Sequence, residues 1–525
     1  MVKTLFIDAA GAHVNYGTSY SDIDEFFMLE RAHAATFFMA KTKIQFSYLI
    51  DYCLRYNEKC NIKAADSNGN IYSLTIGKLN FRSIDYIFNK PFSRLCKEFN
   101  IEHSAKGIEE LVNMIEEAGQ PFSFINKEYI TISKLAALHL QTYLPKNYFN
   151  YRYPMVIERW CDWCKTNRIY RGGINCLNEN FKGKEIRNLY KYDKNSYFAY
   201  VMKYGNMPIG HKYLKQGKPD TNKDVLVHVR LTGRARFKGV YPYKNATGDA
   251  MEMMLKYEDW LWIDELEAYK NYYDFSAIDY IEYYEWLWNK PEERFGLFVD
   301  EFFELKRTSK GVKRYFVKRI LNGAYGKLGQ SPVKSNFKID DKGSLVKTNK
   351  MHTNYEDKYN VFVASKITAL ARAWLLNDIY AATDKRPDLY FVYCDTDSIM
   401  MLKPMKTTGD KLGDYKDEGP EEGAPWPYAK FLGCKCYILY DGANYECHAA
   451  GVNREALERE INALDWNGAC AKFNYGQTFT VPTIVNENGI KSIKLLPKVL
   501  KNLEDFEIYE DVWNPVYGAY EQRSN

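Results

Sequence analysis

The sequence predicts an α+β multidomain fold, and three observations predict it. A chain of 525 residues exceeds what one hydrophobic core organises, so several domains are expected. Over the first 150 residues short β-like runs (Lys3–Asp8, Ile71–Ile76) alternate with helical ones (Asp22–Arg31, Ile108–Ala118). Much later, the segment Leu389-Tyr-Phe-Val-Tyr-Cys-Asp395-Thr-Asp397-Ser-Ile-Met-Met-Leu402 places apolar residues on both sides of a short polar tip, the pattern of a buried β-hairpin.

Composition narrows the class. Hydrophobic residues make up 46% and charged residues 26%, the balance of a globular protein. The most apolar window, Val361–Ile379, is interrupted by Lys366 and Arg372, so no membrane span is expected. The opening MVKTLFIDAAGAH has neither a long apolar core nor a small-residue cleavage site, which points to a cytoplasmic location. The formal charge of +5 weakly favours a polyanionic partner. Tyrosine is abundant at 44 residues, and aromatic faces interleaved with Lys and Arg suit stacking on bases. Eleven cysteines have no framework spacing. Cys161-Asp-Trp-Cys164 with Cys176, and Cys434-Lys-Cys436, lack an evident fourth ligand, so thiols rather than zinc are expected.

In chain order, residues 1–150 read as one mixed α/β domain. Residues 151–203 carry a turn at Gly172-Gly173 and then a strand ending at Asp193. Residues 204–305 mix strands (Val225–Arg230) with Trp- and Tyr-rich helical segments (Glu258–Tyr269). Lys306 to Tyr325 reads as a basic helix. A polar insertion follows, turning at Asp340–Gly343, then a helix over Val361–Ala381, the hairpin at 389–402 and a basic C-terminal region.

Three segments carry the chemistry. Asp395 and Asp397, two apart on a hairpin tip, can project the same way. Buried carboxylates that close repel unless a cation lies between them, so the spacing implies divalent metal; alone, it would pass for an Asx-rich turn. Tyr190-Lys-Tyr-Asp193-Lys-Asn-Ser196-Tyr-Phe198 ends a strand with a third Asp and enters a helix whose amides can face a triphosphate. On a helix, Lys306, Lys310, Arg314, Lys318 and Asn322 recur at every fourth position and Tyr325 follows three later, a continuous cationic stripe that wants an anion opposite.

These segments resemble the family-B DNA polymerases, most closely the protein-primed branch of small tailed phages, adenoviruses and linear plasmids. Asp-x-x-Ser-Leu-Tyr-Pro is matched from Asp193, Lys-x3-Asn-Ser-x-Tyr-Gly from Lys318, and Tyr-x-Asp-Thr-Asp-Ser from Tyr393. The branch's Tyr-x-Gly-Gly occurs as Tyr170-Arg-Gly172-Gly173, and Lys-x-Tyr as Lys435-Cys-Tyr437. The resemblance implies a right-hand polymerase (palm, fingers, thumb) behind an N-terminal reduced ribonuclease-H-like, exonuclease-type domain. Residues 151–203 would join these to the first palm motif, and 204–305 would be palm with an insertion that contacts a priming protein. Residues 306–381 would form fingers including insertion 331–360, 382–440 palm with the catalytic hairpin, and 441–525 thumb and tail.

By the same resemblance, Asp193, Asp395 and Asp397 hold two Mg²⁺, for which Mn²⁺ can substitute. Lys318 and Lys306 contact the incoming dNTP's phosphates, and Ser196 lies in the same nucleotide site. Asn322 and Tyr325 line the nascent base pair, and Phe198 excludes a 2′-hydroxyl. Tyr170, Gly172 and Gly173 clamp the template strand, and Lys435 and Tyr437 the primer terminus. The partners implied are template-primer DNA, dNTPs and a separate terminal protein. Lysines 334, 338, 342, 347 and 350 of the second insertion could track a phosphate backbone, and Lys491, Lys494, Lys498 and Lys501 resemble the thumb's contact with duplex.

Departures matter too. Phe198 replaces the family's Tyr, Ala199 its Pro and Gly323 its Ser. At the N-terminus the exonuclease carboxylates are missing: Asp8-Ala9-Ala10 lacks the Glu, Phe38 to Ser47 has no acid, and Lys106-Gly107 offers none. Proofreading is therefore expected to be absent. Two other readings stay open: a primer-making or lesion-tolerant polymerase of the same fold, and a catalytically idle nucleic-acid-binding factor.

Overall fold

The computed structural model describes residues 3–8, 11–15, 19–65, 71–118, 132–144, 163–164, 167–245, 247–330, 333–340, 345–352, 360–449, 452–487 and 490–501. Near the N-terminus a seven-stranded sheet runs in the order Ser19–Tyr20, Gly11–Val14, Lys3–Asp8, Ala35–Met39, Leu79–Ser83, Ile71–Ile76, Cys60–Ala65. Its three central strands are parallel and the rest antiparallel, in keeping with the expected ribonuclease-H-like architecture. Period-two alternation builds a core on each face: Leu5, Phe37 and Met39 pack with Phe46 and Leu49 of helix Thr42–Arg55, while Phe6 and Phe38 pack with Ile108 and Leu111 of helix Ala105–Glu117.

The predicted exonuclease positions can now be located. Asp8 ends its strand, and Ala9 and Ala10 lie outside the described residues. Phe46 and Ser47 are buried in their helix. Lys106 and Gly107 sit inside the following helix rather than ahead of it, because Ser104 caps it by accepting the Gly107 N–H at 3.3 Å.

A second sheet joins Asn206–Gln216, Tyr273–Pro291, Val225–Ala235 and Met253–Trp262 in that order. The helix expected over Glu258–Tyr269 is corrected here: the chain stays extended to Trp262 and only Ile263–Tyr269 is helical. Tertiary packing decides this, since Trp260 opposes His228 across the sheet with its ring stacked on it at 4.6 Å.

The basic helix is also two helices, Glu293–Thr308 and Gly311–Leu328. Ser309 and Lys310 are extended, which ends the first helix, and Gly311 starts the second with φ +54°, a left-handed conformation that glycine tolerates. Lys306 therefore projects from a different rod than Arg314, Lys318 and Asn322, and the stripe is not continuous.

Insertion strands Val333–Ile339 and Leu345–His352 pair as a hairpin; residues 341–344, with Lys342, lie outside the described residues, and Lys338 is exposed. The apolar window proves to be a core helix, Val361–Ala382, whose charges are met locally: Lys366 by Asp224 and Asp264, Arg372 by Glu265. Among the described residues no helix is long and apolar enough to cross a membrane.

The central sheet gathers strands from distant parts of the chain, in the order Tyr445–Ala449, Cys436–Tyr440, Trp426–Gly433, Glu185–Lys194, Ser398–Met401, Phe391–Asp395, Asn175–Leu177, with Tyr415–Asp417 also on Glu185–Lys194. Beyond it, helices Arg454–Ile461 and Trp466–Lys472 and the hairpin Thr478–Glu487/Ile490–Val499 share one core around Leu457, Trp466, Phe473 and Phe479. Lys494 and Lys498 are exposed on that hairpin. Cys161 lies outside the described residues, while Cys164, Cys176 and Cys436 are buried and not in disulfides.

Candidate active site

Strand register brings the three aspartates to one place. Ser398 is the antiparallel partner of Asp193, and the Lys194 N–H donates to the Asp397 carbonyl at 2.9 Å. The tip closes tightly: the Asp397 N–H donates to the Asp395 carbonyl at 2.7 Å across Thr396, whose φ is +65°. A β-branched residue there stores strain of about 1–3 kcal/mol. Two contacts hold it. The Thr396 N–H donates to the Ile174 carbonyl at 2.7 Å, and a Cβ on Gly173 would stand 2.7 Å from Thr396 Cγ2. The Gly172-Gly173 segment therefore supports the acidic tip directly.

Electrostatics separates the three acids. Asp193 and Asp397 make no ion pair with any described residue. Burial pushes both above the ordinary carboxylate range, and Glu418 raises Asp193 further while Asp193 and Asp395 raise Asp397. Opposing this on Asp193 are Lys318, then Lys191 and Lys416. Asp395 is instead engaged: Lys435 Nζ lies 3.4 Å from its Oδ2, and the Thr396 and Tyr393 hydroxyls donate to it at 3.0 and 3.3 Å. Tyr393 also accepts the Lys435 N–H at 3.0 Å, so the Lys-x-Tyr element is built onto the hairpin. Asp395–Ser398, Lys435, Tyr437 and His448 line an open cleft of ≈ 440 Å³.

On the other flank, Ser196 has φ +52° and opens helix Tyr197–Tyr204. Lys306 Nζ donates to Asn195 Oδ1 at 2.6 Å and Ser196 Oγ at 2.9 Å, which ties it to the loop after Asp193. Burial, then Lys318 and Arg314, bring its ammonium down to about 8. The Phe198 ring stacks on Tyr325 at 4.1 Å between centroids. Asn322 Oδ1 is buried without a hydrogen-bond partner among the described residues.

Tyr170 is buried rather than presented to the cleft; a Cβ on Gly329 would stand 2.2 Å from its ring. The backbone beside it is fixed by Arg372, which donates to the carbonyls of Arg171 at 2.8 Å and Gly172 at 2.6 Å.

Several neighbours escaped the sequence reading. Lys194 is buried, 2.5 Å from Asp378 and 4.7 Å from the ring centres of Tyr197 and Tyr415. Lys416 opposes Asp193 on the strand Tyr415–Asp417. Glu446 joins Lys191 at 2.9 Å and His448 at 3.1 Å. The only local signal was alternation of Lys416 and Glu418 on a short polar strand; the remaining partnerships span up to 255 residues.

The donor set suits a divalent cation that takes few ligands from the protein. Among the described residues no group of three or more His, Cys, Asp or Glu side chains is placed to hold a metal ion. Magnesium at nucleotide sites binds through one or two carboxylates, with substrate phosphates and water completing the shell, and two half-buried carboxylates without ion pairs, one on a strand and one in the adjoining turn, match that need.

A family model described as DNA polymerase type B, organellar and viral, matches residues 101–402. The DNA polymerase of Bacillus phage phi29 is 27% identical over 300 residues, covering 51% of this chain and 48% of that protein. That of Bacillus phage Nf is 26% identical over 319 residues, covering 54% and 52%. A probable DNA polymerase of Podospora anserina is 26% identical over 59% of this chain and 29% of its own. The sequence match thus spans about half the length of the phage relatives. In structure, phi29 DNA polymerase complexed with primer-template DNA and incoming nucleotide substrates superposes with a TM-score of 0.75 at 17% identity, over 95% of this chain and 98% of the other.

Proposed function

Starting from the type B, organellar and viral DNA polymerases, the family to which this chain belongs, we infer that it is a template-directed DNA polymerase adding dNTPs to a primer 3′-hydroxyl. The observation that carries this reading is the pairing of Ser398 with Asp193, which sets Asp397 beside Asp193 across two hundred residues of sequence. Asp193 and Asp397 would hold Mg²⁺, with Asp395 alongside, anchoring Lys435. Bound there, the ions supply the charge that activates the attacking hydroxyl and offsets the leaving pyrophosphate.

The chain's own residues do the rest. Lys318 and Lys306 meet the triphosphate from two helices, and the Asn195-Ser196 hydrogen bonds hold Lys306 ready. Phe198, backed by Tyr325, closes the space a 2′-oxygen would need, and Asn322 offers its unsatisfied Oδ1 to the nascent pair. Lys435 and Tyr437 grip the primer end. Gly172 and Gly173 shape the template path from the far side of the tip, and the buried Tyr170 supports them.

We assign the domains as read from the sequence. Residues 1–150 form a ribonuclease-H-like domain without proofreading, because Asp8 alone remains of the metal-holding acids and one carboxylate cannot hold two cations. The partners are primer-template DNA, dNTPs and, by kinship, a separate terminal protein. Primer extension with Mg²⁺ on one template offered a DNA primer, an RNA primer or none tests the reading. Extension of the DNA primer supports it, product without any primer would reassign the chain as primer-making, and no product in any arm would leave a binding factor. Release of single nucleotides from a mismatched primer end would overturn the loss of proofreading.

A further inference from the structure

His448 lines the cleft beside the acidic tip, yet it belongs to no motif. Its strand, Tyr445–Ala449, pairs with Cys436–Tyr440 so that His448 opposes Tyr437 directly, and the two rings stack at 4.7 Å and 29°. Directly opposed residues share one face of a sheet, so a strand resting on Tyr437 must also pass the imidazole.

The ring is held. Its Nε2 lies 3.1 Å from Glu446 Oε1, two residues back on the same face. Glu446 also accepts from Lys191 at 2.9 and 3.0 Å, and Lys191 lies 3.2 Å from Glu418. Burial opposes the Glu446 charge, but His448 and Lys191 outweigh it and hold that carboxyl down to about 2. A row of ion pairs and hydrogen bonds therefore runs from Glu418 through Lys191 and Glu446 to His448. This row starts beside Asp193, two residues from Lys191, and its open end is the imidazole in the cleft. With Nε2 on Glu446, Nδ1 is the nitrogen left for a ligand.

Two basic side chains line that cleft. Lys435 is paired with Asp395 and His448 Nε2 with Glu446, which leaves His448 Nδ1 as the ring nitrogen with no acid opposite it among the described residues. A phosphodiester is the anion that a nucleic-acid strand lying on Tyr437 brings there.

We propose that His448 is a third element of the primer-strand clamp: with Nε2–H on Glu446, it meets a backbone phosphate near the primer terminus as the imidazolium, whose Nδ1–H is the donor, and Glu446 and Lys191 fix its ring. This rests on the polymerase reading above and adds to it a residue that the family motifs do not contain.

The test measures primer-template affinity by fluorescence anisotropy with the full chain, its H448F, H448Q and H448K variants, and primers in which single terminal phosphates are replaced by neutral methylphosphonates. H448F keeps a stacking ring without a donor, so fold and stack persist. H448F and H448Q are expected to weaken binding about three- to tenfold, the worth of one charge-assisted hydrogen bond near a surface. The KM for dNTP at saturating DNA stays unchanged, and H448K recovers affinity to within about twofold of wild type. One methylphosphonate position should cost wild type the same factor while costing H448F nothing more. H448F binding as wild type, or equal methylphosphonate penalties for both proteins at every position, would overturn the proposal. A wild-type chain that binds primer-template and shows the His448 effect but extends no primer supports the clamp while sinking the polymerase reading. A wild-type chain that binds no primer-template sinks both.

Discussion

Phe198 and Tyr325 lie face to face, 4.1 Å between ring centres and 20° from parallel, although one lies in the first turn of the helix after Asp193 and the other near the end of Gly311–Leu328. The contact converts a single phenyl ring into a braced wall. An aromatic pair adds about 0.5–1.5 kcal/mol beyond burial. Truncating the brace, Tyr325→Ala, should therefore loosen discrimination against ribonucleotides by about threefold to tenfold on that scale and raise the KM for dNTP. Phe198→Ala, which removes the wall itself, should relax it further. The ratio of ribonucleotide to deoxyribonucleotide incorporation checks both, and equal ratios in wild type and Tyr325→Ala would refute the bracing role.

Gly173 is irreplaceable for a different reason. A methyl group there would press on Thr396 Cγ2, Oγ1 and Cα at 2.7–2.9 Å, in a tip already strained. Gly173→Ala should cost about 1–3 kcal/mol of stability, as overpacking does, and reduce extension more than that loss explains, because it displaces Asp395 and Asp397. Adding Thr396→Ser removes one of the three contacts and should recover part of the rate. Thermal melting and single-turnover extension on the same samples separate the two effects.

Lys306 gives a pH dependence. Its ammonium is brought down to about 8 by burial and by Lys318 and Arg314, below the ordinary lysine value. The folded chain then binds fewer protons than the unfolded chain above that point, so fold stability is not lost as the amine neutralises; triphosphate attraction is. The KM for dNTP should rise as pH passes upward through about 8. Lys306→Arg, charged throughout, should flatten that rise. Identical profiles for the two proteins would remove Lys306 from the phosphate site.

Behind the catalytic strand, Lys194 and Asp378 form a pair at 2.5 Å, and Tyr415 donates to the same carboxylate at 2.9 Å. Breaking a fully buried pair costs about 3–5 kcal/mol; Asp378 is 37% exposed, so about 2 kcal/mol is expected for Lys194→Met. Because Lys194 adjoins Asp193, extension should fall as well. The double variant Lys194→Met/Asp378→Asn should regain most of the stability, and denaturant melts of the four proteins in the cycle measure it.

How far the letters reached is clearest in the acidic hairpin. Apolar runs around Asp395-Thr-Asp397 dictate a turn between buried strands, and the strand ending at Asp193 follows from local pattern alone. The same reasoning failed at Glu258–Trp262, where Trp260 and its neighbours answer to cross-strand partners, and at Lys306–Lys310, where extended Ser309 and Lys310 break a periodicity that the letters carry through.

What the sequence by itself determined is the kind of chemistry and the residues able to carry it, because motif spacing and side-chain type are local properties. Tertiary structure alone decided which groups meet: that Asp395 faces Lys435 while Asp193 and Asp397 stay unpaired, that Lys306 approaches from its own helix, and that His448 stands in the cleft. Those outcomes depend on strand order and register, which join distant segments, Glu185 with Lys430 for instance, through backbone hydrogen bonds that carry no signature in the side chains.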